Sequence, residues 1–488
     1  MVIAQPDTYE ITGKLKISRI LTGLWQVADM EKDGDVIDPE KGADYLEAYA
    51  RDGFTTFDMA DHYGSAEIIS GHLLKRYASN SEKPLVFTKW CPPPGLMTKE
   101  VVLAGVVERL QRLGIDKIDL LQFHWWTFEH PAWLDALHEL NELREQGLIG
   151  EIGVTNFDAA HLHLAMTDGI PIRTNQVSFS LIDRRACGDL AELSRQHNVH
   201  LLAYGTLCGG FLSEKWLGKA EPKEILDWSS MKYKRFIDTA GGWEIYQSIL
   251  EAASSIASKY DVSISNVATR WVLEQSGVAG VIIGARIGER EHRADNVRLF
   301  SFSLSDEDYA LLDKAFEGSG MIPGDCGDEY RKPPFLTASG DLTDHLNEVP
   351  KAFVAEDIPG RKNAKRVLSG SKWENIAGYC RAQRIGDRIL VSGTTATAGQ
   401  DRVVSQGDAA AQTTFILDTI EGAVAALGGS MEDVVRTRVY LANGDDALAV
   451  SKAHLRKFGA IKPANTLLEI GSLVGDYLVE IEAEALVD

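Results

Sequence analysis

Cysteine is scarce in this chain. Its five thiols among 488 residues, Cys91, Cys187, Cys208, Cys326 and Cys380, are scattered, odd in number and form no Cys-x-x-Cys pair. No disulfide framework is expected, and the plain reading is a cytoplasmic protein with reduced thiols. Long apolar runs are missing too. None approaches the roughly 20 residues that cross a bilayer, so a membrane is not an expected partner. The N-terminus, MVIAQPDTYEITG, has no basic stretch ahead of an apolar core and is not read as a signal peptide. Positive charge is in short supply, with 50 Lys and Arg against 71 Asp and Glu and a net formal charge of −21. Such a surface repels nucleic acid, and any anionic ligand needs a local basic cluster. No Gly-x-Gly-x-x-Gly turn opens the first strand–helix unit, which argues against a Rossmann domain.

What is present is a regular alternation. Between about residues 15 and 285, eight β-rich runs occur: ILTGLW, TTFDMA, LVFTKW, IDLLQFHW, GEIGVTN, RTNQVSF, HLLAYGT and AGVIIGA. Amphipathic stretches such as KGADYLEAYARDG and KEVVLAGVVERLQRLG separate them and end near Gly or Asn, as helices do. Eight such units predict a (β/α)8 TIM barrel over residues 1–320. The long stretch between the seventh and eighth runs reads as a large loop, followed by a helix in GGWEIYQSILEAASSIASKY. Residues 321–363, rich in Gly, Pro and Asp, read as a linker. Residues 364–488 hold five strand-like runs and two helical ones, and predict a smaller α+β domain.

In such a barrel, reactive groups sit where strands end at the C-terminal rim. Strand by strand, those ends carry Asp58, Lys89, His124, Asn156, Gln176, Tyr204 and Gly284, with Tyr63 on the loop after strand 2. A buried Lys89 needs a counter-charge, which Asp58 on the adjacent strand can provide. A cation beside a phenol favours the phenolate, so Tyr63 is placed to exchange a proton with a carbonyl oxygen that His124 also meets. Taken singly, Asp58 and Lys89 read equally well as a barrel ion pair, and His124 as structural. Trp25, Trp90, Trp125 and Trp126 are candidates for lining a substrate pocket. No metal site is expected.

With these residues in view, the barrel resembles the aldo-keto reductases. GFTTFDMADHYGSAEIISG matches that family's signature, with Asp58, Tyr63, Glu67 and Gly71 in step. The resemblance implies a catalytic tetrad of Asp58, Tyr63, Lys89 and His124. It implies that Asn156 and Gln176 bond the nicotinamide carboxamide and that Tyr204 stacks on the ring. IIGARIGEREHRADNV, with Gly284, Arg286, Arg290, His292 and Asn296, would wrap the adenosine end. A base at the position of Arg286 favours NADP(H) over NAD(H). The expected activity is reversible reduction of an aldehyde or ketone; a non-catalytic NADP(H)-sensing subunit is the alternative.

The C-terminal unit resembles the RidA (YjgF) family, a chorismate-mutase-like fold whose members form trimers with clefts between subunits. YCRAQRIGDRILVSGTTA, KPANTLLEI and LVEIEAEA carry the resemblance. Tyr379 and Glu480 match cleft positions, but Asn465 in KPANT stands where the family's carboxylate-gripping arginine belongs. An oligomerising or ligand-binding module is therefore expected, with a homotrimer as the assembly. An imine- or enamine-processing cleft in a bifunctional enzyme is the alternative.

Overall fold

Parallel strands with a helix after each close on themselves once the eighth can pair with the first. The computed structural model, which describes residues 5–27, 37–77, 83–286, 288, 292–332, 334–336 and 349–487, shows that closure. The barrel strands are β1 (Ile20–Gly23), β2 (Thr56–Asp58), β3 (Leu85–Trp90), β4 (Ile118–His124), β5 (Ile149–Thr155), β6 (Ile172–Ser178), β7 (His200–Tyr204) and β8 (Val278–Gly284). Val281 of β8 pairs with Ile20 of β1, which seals the ring.

Successive side chains on a strand point to opposite faces. In the barrel, one set points into the lumen and the other under the helices. Leu21, Phe87, Leu120, Leu202 and Ala279 form the luminal core. An N-terminal hairpin, Thr8–Thr12 with Leu15–Ser18, adds Ile11, Leu15 and Ile17 to that core and plugs the end opposite the strand C-termini. Two positions further along β3 and β4, the same inward register delivers Lys89, Gln122 and then His124.

After β7 the chain does more than loop. Helix Trp228–Thr239, capped by the Asp227 side chain, precedes the expected helix Gly242–Tyr260. A further helix, Ile264–Leu273, was not anticipated.

The C-terminal domain is a seven-stranded sheet in the order Ala355–Asp357, Ala364–Val367, Ala382–Ile385, Arg388–Thr395, Val479–Leu486, Val434–Leu441, Ala464–Glu469. Only the last pair is parallel. Two helices, Ala409–Ala426 and Ala447–Phe458, cover one face. Val479, Ile481, Ala483 and Ala485 point under them, while Glu480, Glu482 and Glu484 line the other face. The first strand lies inside the stretch read as a linker. At three residues beside a Pro-Gly turn, it is too short to announce itself by pattern.

The two domains meet through hydrogen bonds and ion pairs. Helix Ala409–Ala426 packs on helix Ala159–Thr167, where His161 bridges Asp158 (2.6 Å) and Asp418 (2.8 Å). Arg402 pairs with Asp168 at 2.6 Å and His163 with Asp408 at 2.7 Å. No described helix is long and apolar enough to cross a membrane.

Candidate active site

Asp58 and Lys89 end adjacent strands on the luminal side, each 3% exposed. Lys89 Nζ donates to Asp58 Oδ2 at 2.8 Å and to the Met59 carbonyl at 2.9 Å. The other carboxylate oxygen accepts from Gln122 Nε2 (2.9 Å) and Gln176 Nε2 (2.7 Å). A buried charge pair repays its desolvation when its other hydrogen bonds are made; here both Asp58 oxygens are engaged, and Lys89 gives two of its three N–H groups to Asp58 and Met59. The ammonium sits 5.3 Å from the centre of the Tyr63 ring. Trp25 packs edge-on against that ring, with centroids 4.9 Å apart.

The loop bearing Tyr63 is held from below. Arg112 donates to the carbonyls of Asp61 (3.2 Å) and Gly64 (2.5 Å), on either side of the tyrosine. Asp61 Oδ2 accepts from the Cys91 amide at 2.9 Å. Both Arg109 and Arg112 converge on Glu67, which is fully buried, at 3.3 and 3.0 Å. Burial raises the Glu67 pKa against the pull of Arg109. Helix Ala66–Arg76 reaches this position because Gly71 lets it press on the end of helix Lys99–Leu113. A Cβ there would lie 2.7 Å from the Leu113 carbonyl oxygen. Glu67 and Gly71, matched in the sequence only as signature residues, thus set the stage for Tyr63.

A cavity of about 700 Å³ opens above these groups. Asp58, Tyr63, Lys89, His124, Asn156, Gln176, Tyr204, Gly284, Arg286, His292 and Asn296 line it, with Trp25 and Trp126. Arg290 lies outside the described residues. Trp90 and Trp125 do not line the cavity. Each follows an inward residue, Lys89 or His124, so strand alternation turns it outward. Trp90 lies over Gly105, whose Cβ position is 2.5 Å from the indole. Trp125 is fully buried, and its indole N–H donates to the His130 carbonyl.

Tyr204 donates its hydroxyl to Asn156 Oδ1 at 2.9 Å. Asn156 takes a left-handed backbone, with φ 58°. Arg286 is engaged by Asp227, the capping residue of helix Trp228–Thr239, at 2.6 Å. Of the other bases, Arg293 pairs with Asp52 and Arg298 with Asp261. Sequence reasoning missed Gln122, Lys232 and Tyr330. Gln122 was legible as the inward residue before His124. Tyr330 was not, because it sits in the Gly- and Pro-rich connection after the barrel, yet its ring lies 5.9 Å from that of His124.

In the C-terminal domain the three expected cleft residues do not meet within one chain. Asn465 pairs in register with Thr437 and accepts from its hydroxyl, and Thr437 faces the helix side, bonded to His454. Glu480 points to the opposite face, where burial raises its pKa. Tyr379 and Glu480 both lie near Arg381, which is buried against the carbonyls of Ser392 and Gly393.

A closed (β/α)8 barrel whose rim gathers a buried Asp–Lys pair, a tyrosine, a histidine and two amides has the makings of a carbonyl oxidoreductase. Residues 19–317 match the model of the Aldo/keto reductase family, and the chain belongs to that family. Residues 370–487 match the Endoribonuclease L-PSP model, so the reductase barrel is fused to a RidA (YjgF) domain. The NADH-specific methylglyoxal reductase of Escherichia coli is 26% identical over 62% of this chain and 95% of its own length. The glycerol dehydrogenase AKR11B4 of Gluconobacter oxydans superposes with a TM-score of 0.55 at 26% identity, covering 65% of this chain and 98% of that one. The C-terminal domain is similar to protein SCO2049 of Streptomyces coelicolor, 43% identical over 25% of this chain and 90% of that protein. Family membership implies NAD(P)H-dependent carbonyl reduction.

Proposed function

We propose that the barrel reduces an aldehyde or ketone with NADPH, reversibly, and that Tyr63 is the proton donor. The observation that carries this is the buried Lys89–Asp58 pair beneath the Tyr63 ring, beside His124. When bound, the reduced nicotinamide supplies hydride to the carbonyl carbon. The chain does the rest. Tyr63 gives its hydroxyl proton to the carbonyl oxygen, Lys89 stabilises the phenolate left behind, and His124 orients the same oxygen. Asp58 holds Lys89 and never reaches substrate.

The amides divide their labour. Asn156 spends its oxygen on Tyr204, leaving its NH2 to donate to the carboxamide oxygen. Gln176 spends its NH2 on Asp58 and Gln122, leaving its oxygen to accept from the carboxamide N–H. Arg286 would supply the base that favours NADP(H), with His292 beside it, and Asn296 would hold the adenine. Trp25 and Trp126 shape the carbonyl pocket.

The test is oxidation of NADPH and of NADH across aldehydes, ketones, sugars and pyridoxal. Turnover with NADPH preferred is expected. No oxidation of either cofactor with any carbonyl would remove the proposal.

The C-terminal domain is proposed to assemble three chains. Leu468 is exposed in the edge strand Ala464–Glu469, and Ile470 and Val474 are exposed in the stretch after it, an apolar surface of the kind a subunit contact covers. Light scattering should give three times the 53.6 kDa chain mass, and a single-chain mass would exclude the trimer.

A further inference from the structure

The connection between the domains enters the reductase site. Helix Asp328–Arg331 lies in it. Arg331 donates to the Asn156 carbonyl through Nη1 and to the Trp125 carbonyl through Nη2, both at 2.8 Å. One guanidinium thus ties together the ends of β4 and β5, next to His124 and at Asn156 itself. The group lies 4.3 Å over the Phe128 ring, and among the described residues its buried Nε has no hydrogen-bond partner. Burial lowers its pKa, opposed most by the charge of Asp158. A cation buried this way costs more than a neutral side chain in the same place.

The neighbours of Arg331 press on the same groups. Gly327, at φ 91°, touches Asn156 so closely that a Cβ would fall 2.3 Å from its carbonyl oxygen. Glu329 is fixed by Arg185 at 2.8 Å and meets the Tyr204 hydroxyl at 3.4 Å. Tyr330 reaches the same hydroxyl at 3.4 Å and contacts Lys232.

The C-terminal domain also holds this segment. Arg456, on helix Ala447–Phe458, pairs with Asp158 at 3.0 Å and Asp325 at 3.2 Å. Asp158 stands two residues after Asn156, and Asp325 two residues before Gly327. Arg331 and Arg456 therefore both staple the stretch around Asn156 to the connection.

We propose that the reductase centre is built by both domains, with Arg456 of the C-terminal domain and Arg331 of the connection as positioning residues for Asn156 and the cofactor it holds. The inference rests on the barrel binding a nicotinamide cofactor. It gives the fusion a catalytic consequence that oligomerisation alone does not.

The test uses the full chain. Cofactor Kd is read from quenching of tryptophan fluorescence, alongside kcat, the separate KM values for cofactor and carbonyl, and the melting temperature. Arg456→Met should raise the Kd about tenfold, and Arg456→Lys, which keeps the charge but not the fork, should recover part of the loss. Asp325→Asn leaves Asp158 in place and should shift the Kd the same way by less, so the prediction survives if the methionine variant folds poorly. Wild-type Kd in folded Arg456→Met, or in Asp325→Asn should the former not fold, overturns the inference alone. A drop in melting temperature with wild-type Kd does the same, since it leaves Arg456 a structural staple only. Failure of the wild-type chain to bind either cofactor overturns the reductase reading, and this inference with it.

Discussion

Lys89 answers two demands at once. Its ammonium is buried and so needs a partner, and it has to stay within reach of a phenol. Asp58 meets the first, and is in turn held by Gln122 and Gln176 so that it cannot swing towards the ligand. This division makes a sharp expectation for Tyr63→Phe. Turnover should fall by about 10³-fold while cofactor Kd stays within about twofold, because only the proton is lost. Unchanged turnover would relieve Tyr63 of its role. The register that makes these residues neighbours was legible in the sequence, since strand ends and a period of two suffice to find Asp58, Lys89 and His124. The same period, applied one residue further, turns Trp90 and Trp125 outward. Bulk and aromaticity made them look like pocket residues, and neither property reports which face a side chain takes.

Among the elements, helices Ala66–Arg76 and Lys99–Leu113 form the support of the Tyr63 loop. Their close approach depends on Gly71. Gly71→Ala should cost about 1–3 kcal/mol by overpacking and should lower turnover as the loop shifts. Chemical denaturation with parallel kinetics checks both; a variant of wild-type stability would show that the helices have room to part. The eight strands and most of their helices were readable because each carries a full hydrophobic face. Helix Trp228–Thr239 was not, because its buried side chains, Lys232, Tyr233, Phe236 and Ile237, are interspersed with exposed charge and include a lysine. Strand Ala355–Asp357 was hidden for a different reason, its three residues being too few to carry a period.

For the whole molecule, the interface between domains sets a dependence on pH. Glu129 lies in an interdomain cavity with Glu421, Asp418, Lys457 and Lys332, and burial, then the charge of Glu421, pushes its pKa up to about 7. Its ordinary value is 4.5, so the folded chain holds this proton more tightly than the unfolded one. The favourable contribution is complete below pH 4.5 and is lost as pH rises to about 7. Asp418, held down at about 2 by Lys457 and His161 despite its burial, acts in the opposite sense and only in more acid solution. Melting temperature between pH 5 and 7 should therefore fall less steeply in Glu129→Gln than in the wild type. An identical slope would mean that Glu129 titrates normally. None of this was foreseeable from the sequence, because it depends on Glu129 and Glu421, nearly 300 positions apart, meeting at one interface.

The N-terminal hairpin has a kinetic corollary. With Ile11, Leu15 and Ile17 stoppering the far end of the barrel, the described residues leave ligands no passage at that end. Whatever reaches Tyr63 enters and leaves on the side of the strand C-termini, where the cavity lies. On the proposed reaction, an alcohol not yet released stands in the path of the next carbonyl, and the two cannot occupy the site beside Tyr63 together.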